Sequence, residues 1–195
     1  MMAEMPTEIA RLADRLAIQD AIHRYARGVD RRNWDFVQSA FHFGATVDQG
    51  DFKGPIETMI ETMRQRHGAI EQSAHLLTNI LIEFDSADGA VVESYYLAWL
   101  RNAHLPPAMR SALLGPGAAE TGKIDMRSLG RYIDRFERRD GHWRIARRVC
   151  VAETLTGTAA PEAATLSPAW VVASRDADDA VWAMRREVGL DGPAR

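Results

Sequence analysis

The stretch Arg131-Tyr132-Ile133-Asp134-Arg135-Phe136-Glu137-Arg138-Arg139-Asp140-Gly141-His142-Trp143-Arg144-Ile145 decides the architecture. Asp140-Gly141 is a strong two-residue hairpin signal, because a tight turn between right-twisted strands needs positive φ at both central positions. Its flanks carry β-branched and aromatic residues, so strands are expected over 127–139 and 142–155. In the second strand, Trp143, Ile145, Val149 and Val151 are expected on one face, and Arg144, Ala146, Arg148 and Cys150 on the other. Two further strands are expected upstream, over 73–84 and 90–101, separated by the turn Asp85-Ser86-Ala87-Asp88-Gly89. Residues 45–53 read as a small hairpin turning at Asp48-Gln49-Gly50-Asp51.

Helices precede most of the strands. From Thr7 to Val29 the apolar residues Ile9, Leu12, Leu16, Ile18, Ile22, Tyr25 and Val29 fall at helical spacing, with Thr7 as N-cap and Gly28 as stop. A second helix is expected from Asn33, burying Phe36, Val37, Ala40 and Phe41. A third opens at Gly54-Pro55 and runs to about Arg66 with Ile56, Met59, Ile60 and Met63 on one side. Helices segregated from antiparallel strands define an α+β fold. Residues 102–125, with Pro106, Pro107, Gly115, Pro116, Gly117 and Gly122, read as a long loop, a length usually associated with function or disorder. Residues 7–156 are expected to form the domain and 157–195 an extension. That extension begins as a Thr/Ala/Pro linker and continues into a helix over 174–188, with Trp170 and Trp182 docking it.

Bulk properties remove several classes of function. The chain has 195 residues, enough for one domain with a sizeable core. Its 24 basic and 27 acidic residues give a net charge of −3, which offers no footprint for nucleic acid. One cysteine, Cys150, excludes an internal disulfide and a multi-cysteine zinc site. No apolar run approaches the roughly 20 residues that span a bilayer. The start Met1-Met2-Ala3-Glu4-Met5-Pro6 lacks the order of a signal peptide, so a soluble cytoplasmic protein is expected.

Two residues stand out chemically. Asp30 follows the first helix and His75 lies in the strand phrase Ser73-Ala74-His75-Leu76-Leu77-Thr78-Asn79. A carboxylate that orients an imidazole makes a general base effective near neutral pH. No His, Asp or Glu lies near His75 at metal-ligand spacing, so no metal is expected.

The phrases Ala17-Ile18-Gln19-Asp20, Gly28-Val29-Asp30, Phe52-Lys53-Gly54-Pro55, His75 to Asn79 and Arg131 to Ile145 together resemble the SnoaL-like branch of the NTF2-like superfamily, over about residues 10–155. The resemblance implies a curved antiparallel sheet wrapped on three N-terminal helices, a cone whose mouth holds the site. Within that branch the chain is similar to hexachlorocyclohexane dehydrochlorinase, bile-acid 7α-dehydratase and, more distantly, scytalone dehydratase. All are cofactor-free lyases, so no cofactor is expected. The resemblance implies that Asp30 orients His75 as base and that Arg148 and Tyr25 join them. A tyrosine at position 25, where the dehydrochlorinase carries lysine or glutamine, favours an oxygenated leaving group over chloride. Tyr96 stands where scytalone dehydratase has a second histidine, which speaks against that enzyme's water-mediated chemistry.

Tyr96, Cys150, Asn79 and Tyr132 complete the set as candidate substrate contacts, the substrate being an apolar cyclic molecule of steroid or polyketide type. A homo-oligomer, trimer before dimer, is implied through the outer sheet face. The segment 102–125 and the tail are expected to cover the mouth. Plain structural readings stand beside these: His75 as a core histidine, Asp30 as a turn former, Tyr25 and Tyr96 as core, Arg148 as a surface arginine. Three functions remain open on the residues: a lyase or isomerase, a non-catalytic binding module, or a structural subunit like the β subunit of ring-hydroxylating dioxygenases.

Overall fold

Asp140 and Gly141 have φ of 52° and 78°, the backbone that a two-residue turn demands, and they join the two longest strands of the molecule. The computed structural model describes residues 7–161 and 166–190. The N-terminal phrase 1–6 and the middle of the Thr/Ala/Pro linker lie outside the described residues.

In chain order the elements are α1 (Thr7–Asp30), α2 (Trp34–Ser39), β1 (Phe41–Gln49), β2 (Phe52–Pro55), α3 (Ile56–His67), β3 (Ile70–Phe84), β4 (Gly89–Asn102), α4 (Pro107–Leu114), β5 (Ile124–Arg139), β6 (His142–Ala159) and α5 (Ala180–Glu187). Six strands form one sheet in the order β2-β1-β6-β5-β4-β3. The expected all-antiparallel sheet is mixed: β1 pairs in parallel with β6, closing the sheet with an edge hairpin. The α+β cone is otherwise as expected, with α1, α2 and α3 held in the concavity of a curved sheet. Ile18, Ile22, Tyr25, Val29, Val37, Phe41, Met59, Met63, Phe136 and Ile145 share one core. Among the described residues no helix is long and apolar enough to cross a membrane.

Several local expectations need correction. The apolar series on α1 splits into two faces, because Leu16 and Ile18 are two residues apart and thus about 200° apart on a helix. Ile18, Ile22, Tyr25 and Val29 are buried, whereas Ile9, Leu12 and Leu16 face outward. Gly28 does not stop α1. It lies two residues before the end, where a Cβ would sit 2.7 Å from the Val37 amide nitrogen, so its lack of a side chain lets α2 approach. The segment 102–125 is not a bare loop. Pro107 opens α4, and buried Arg110 donates from Nη1 to the Gly122 carbonyl (2.8 Å) and from Nη2 to that of Thr121. In the tail, Trp182 packs edge-on against Phe36 at 5.3 Å, but Trp170 is 68% exposed.

Two β-bulges change which residues face inward. On β3 the pairing slips between Thr78 and Leu81, and Asn79 takes φ of 46°. Ser73, His75 and Leu77 face the helices before the slip, and Ile80, Ile82 and Phe84 after it. On β6, Arg147 pairs with Arg135 but Ile145 pairs with Phe136, leaving Ala146 as the extra residue. The bulge reverses the expected alternation, so Arg148 and Cys150 share the inner face with Trp143 and Ile145.

Candidate active site

Asp30 is the last residue of α1, and α1 packs on the start of β3. That crossing brings together residues 45 apart in sequence. Asp30 Oδ1 accepts hydrogen bonds from Ser73 Oγ and from His75 Nδ1, both at 2.6 Å, and Oδ2 accepts from the His75 backbone N–H at 2.8 Å. Burial pushes the carboxyl pKa up, but the His75 hydrogen bond and charge, with the Ser73 and backbone donors, outweigh it and hold the group below its ordinary value. An ionised Asp30 fixes the proton of His75 on Nδ1 and leaves the Nε2 lone pair as the basic site. Ser73 was missed in the sequence, although its place two residues before His75 on the same strand face was the available signal.

His75 lines a cavity of about 500 Å³ inside the cone, together with Tyr25, Tyr96, Tyr132 and the apolar Val29, Ile70, Leu100, Met109 and Met126. Ala98 stands opposite His75 on β4 and lines the same space. Tyr132 meets Tyr25 edge-on at 5.6 Å and stacks on Tyr96 at 4.5 Å. Gly130 makes room for that stack, since a Cβ there would lie 2.6 Å from the Tyr96 hydroxyl. Burial raises the pKa of all three tyrosines, so each stays a neutral hydroxyl at physiological pH. His104, Leu105, Pro106 and Met109 line the cavity from the segment preceding and including α4, whereas no described tail residue does so. The tail instead packs behind the pair, where Asp179 and Val181 line a second cleft of about 350 Å³ with Asp30 and His75. A further cleft, about 600 Å³, is an arginine-rich groove that includes neither Asp30 nor His75.

The remaining sequence candidates are not in the cavity. Arg148 is fully buried and forms a bidentate pair with Asp134, Nε to Oδ1 at 2.7 Å and Nη2 to Oδ2 at 2.6 Å. Its guanidinium lies 4.2 Å from the Tyr25 ring centroid and 4.0 Å from that of Tyr132, behind the tyrosines rather than in front of them. Burial disfavours its charge, but Asp134 more than compensates and raises its pKa above the ordinary value. Cys150 packs against the core, where burial pushes its thiol up to about 12 and removes it as a nucleophile. Asn79 is exposed at the β3 bulge, serving the left-handed backbone there.

Two residues without a sequence signal complete the surroundings. His67, the last residue of α3, is 2% exposed and lines the cavity. Arg175, from the tail, donates to the carbonyls of Asp30 (2.8 Å), Ile70 (2.5 Å) and Val29 (3.1 Å) and to His67 Nδ1 (2.9 Å). Burial, then the charges of Arg66 and Arg175, lower the His67 pKa to about 3. An unfolded chain protonates this histidine near pH 6.5, so between about 6.5 and about 3 the unfolded state holds the extra proton. Stability therefore rises with pH across that window and is lost as pH falls through it, by about 1.4 kcal/mol per unit. Denaturant unfolding is expected to show wild type losing roughly 2 kcal/mol more than His67→Gln between about pH 7 and pH 5. Equal losses would contradict the assignment.

The carboxylate–imidazole pair thus opens on an aromatic-lined cavity within an α+β cone. The chain belongs to the SnoaL-like domain family, whose model matches residues 10–149. Among curated proteins no sequence matches it. Solved structures share the fold. A hexachlorocyclohexane dehydrochlorinase of LinA type from Novosphingobium barchaimii is 21% identical with a TM-score of 0.63, covering 83% of this chain and 100% of its own. A scytalone-dehydratase-like protein from Novosphingobium aromaticivorans is 20% identical at 0.62, covering 85% and 100%. A protein with a cystatin-like fold from Nostoc punctiforme is 13% identical at 0.53, covering 72% and 92%.

Proposed function

We propose that the protein is a cofactor-free lyase or isomerase that removes a proton from carbon in an apolar cyclic small molecule. The observation that carries this reading is the 2.6 Å contact between Asp30 and His75 beside a 500 Å³ aromatic-lined cavity. His75 Nε2 accepts the proton, and Asp30 stabilises the imidazolium formed. The electron pair of the broken C–H bond moves into the adjacent bond as an enolate or as a new double bond. In an elimination, the leaving hydroxyl departs as water with the proton returned from His75. In an isomerisation, the proton returns to another carbon. Tyr25 and Tyr96, neutral hydroxyls in a dry site, donate to the developing negative charge. The dehydrochlorinase and the scytalone-dehydratase-like neighbour support elimination, and Tyr25 favours an oxygenated leaving group.

The test is turnover of a panel of cyclic ketols and enones, with product identified by mass. Loss of water or double-bond migration that needs His75 supports the reading. Tight binding of the same compounds with no conversion would reduce the protein to a binding module.

The assembly is proposed to be a homotrimer formed through the outer sheet face. Leu76, Leu97 and Leu129 lie side by side across β3, β4 and β5, all exposed. An apolar row of this kind on a sheet face marks an interaction surface. Leu97→Lys is expected to convert the assembly to single chains in light-scattering mass measurements. An unchanged mass would place the interface elsewhere.

A further inference from the structure

His67 is unusual among the cavity residues because its protonation is fixed by a neighbour that has no choice. A guanidinium is only a donor, so the 2.9 Å contact from Arg175 Nη2 requires His67 Nδ1 to be the bare nitrogen. The ring proton is then on Nε2, and His67 is among the residues lining the cavity. Trp34 from α2 holds the ring edge-on at 5.7 Å. The charged or titratable groups around it are Arg66 on α3, Arg175 from the tail, His75 on β3 and Asp30 on α1; burial first, then Arg66, Arg175 and His75, keep the ring neutral against the opposing Asp30.

We propose that His67, locked by Arg175 as the Nε2–H tautomer, donates a hydrogen bond to a carbonyl oxygen of the substrate, and that this oxygen activates the C–H bond broken by His75. This rests on the reading of His75 as base and adds the substrate class: a cyclic ketone or enone whose acidic proton lies α or γ to the carbonyl. A neutral imidazole suits this role because its N–H stabilises an enolate oxygen without transferring its proton, whereas an imidazolium would protonate it. The C–H proton goes to His75 Nε2, its electron pair forms the enolate C=C bond, and the negative charge rests on the oxygen facing His67. Arg175 does not reach the cavity and is a positioning residue. By bonding the Val29, Asp30 and Ile70 carbonyls and His67 together, it ties the base's carboxylate and the donor to one point.

The probe is β-naphthol, a cyclic apolar mimic of an enol, titrated by fluorescence into the full chain. His67→Phe is expected to weaken binding about tenfold or more, the effect of leaving a buried polar oxygen unpaired. His67→Gln, whose amide N–H can stand in for Nε2–H, is expected to stay within about threefold. If His67→Phe does not fold, ring-nitrogen NMR of wild type decides: the proposal requires protonated Nε2 and bare Nδ1 from about pH 5 to about pH 8. Folded His67→Phe binding naphthol like wild type, or a proton on Nδ1, would overturn the donor role and leave the base untouched. Turnover unaffected by His75→Ala would instead remove the base and leave the naphthol result standing.

Discussion

His75→Ala is expected to lower kcat by about 10²- to 10⁴-fold with little change in melting temperature, the range contributed by a positioned acid–base group. The side chain is part-buried beside a cavity, and Ala98 opposite it shows that a small residue is tolerated at this level of the sheet. Asp30→Asn is expected to act nearly as strongly by a different route. An asparagine can turn its amide N–H toward His75 Nδ1, which places the imidazole proton on Nε2 and removes the lone pair facing the cavity. Asp30→Asn also keeps an oxygen for Ser73 or for the His75 backbone N–H, so it should fold. Rates of ketol or enone conversion measured beside thermal melts separate chemistry from folding. Activity within threefold of wild type for either folded variant would exclude the pair as the base.

Arg148→Met is expected to destabilise the protein by about 3–5 kcal/mol, because it leaves Asp134 charged and unpaired where nothing reaches solvent. That corresponds to roughly 6–20 °C in melting temperature for a chain of this size. The pair is bidentate at 2.7 and 2.6 Å, and the arginine Nη1, without a hydrogen-bond partner among the described residues, is compensated by the faces of Tyr25 and Tyr132. Replacing both partners together, as Arg148→Met with Asp134→Leu, is expected to recover most of the loss. An Arg148 that held the substrate would behave otherwise: Arg148→Met would melt like wild type and show a raised KM. The double variant thus distinguishes an internal brace behind the tyrosines from a substrate contact.

How much of this was legible in the sequence depended on the range of the signal. Period-two alternation and Asp140-Gly141 marked the strands, because strand faces and tight turns are written in adjacent residues. Asp30 and His75 were found because both are acid–base residues in otherwise apolar phrases. The bulges at Asn79 and Ala146 were not visible, because one extra residue reverses the inward face without any residue type that announces it. Arg148 was expected at the substrate from the family resemblance alone, and its pairing with Asp134, fourteen residues away on the neighbouring strand, has no local signal. α4 was hidden among prolines and glycines, although Pro107 before Ala108-Met109-Arg110-Ser111-Ala112-Leu113-Leu114 was a readable helix start. Arg175 had no signal at all, since its partner Asp30 lies 145 residues away and the contact is made to backbone carbonyls that any residue would present.

The central claim is that Asp30-oriented His75 takes a proton from carbon inside the cavity. Solvent deuterium exchange at the α carbons of β-tetralone, a bicyclic ketone with acidic C–H bonds, tests it most directly. By NMR, wild type is expected to exchange these protons well above the buffer rate, and His75→Ala to fall to that rate. Exchange by His75→Ala as fast as by wild type, with both proteins folded, would contradict it.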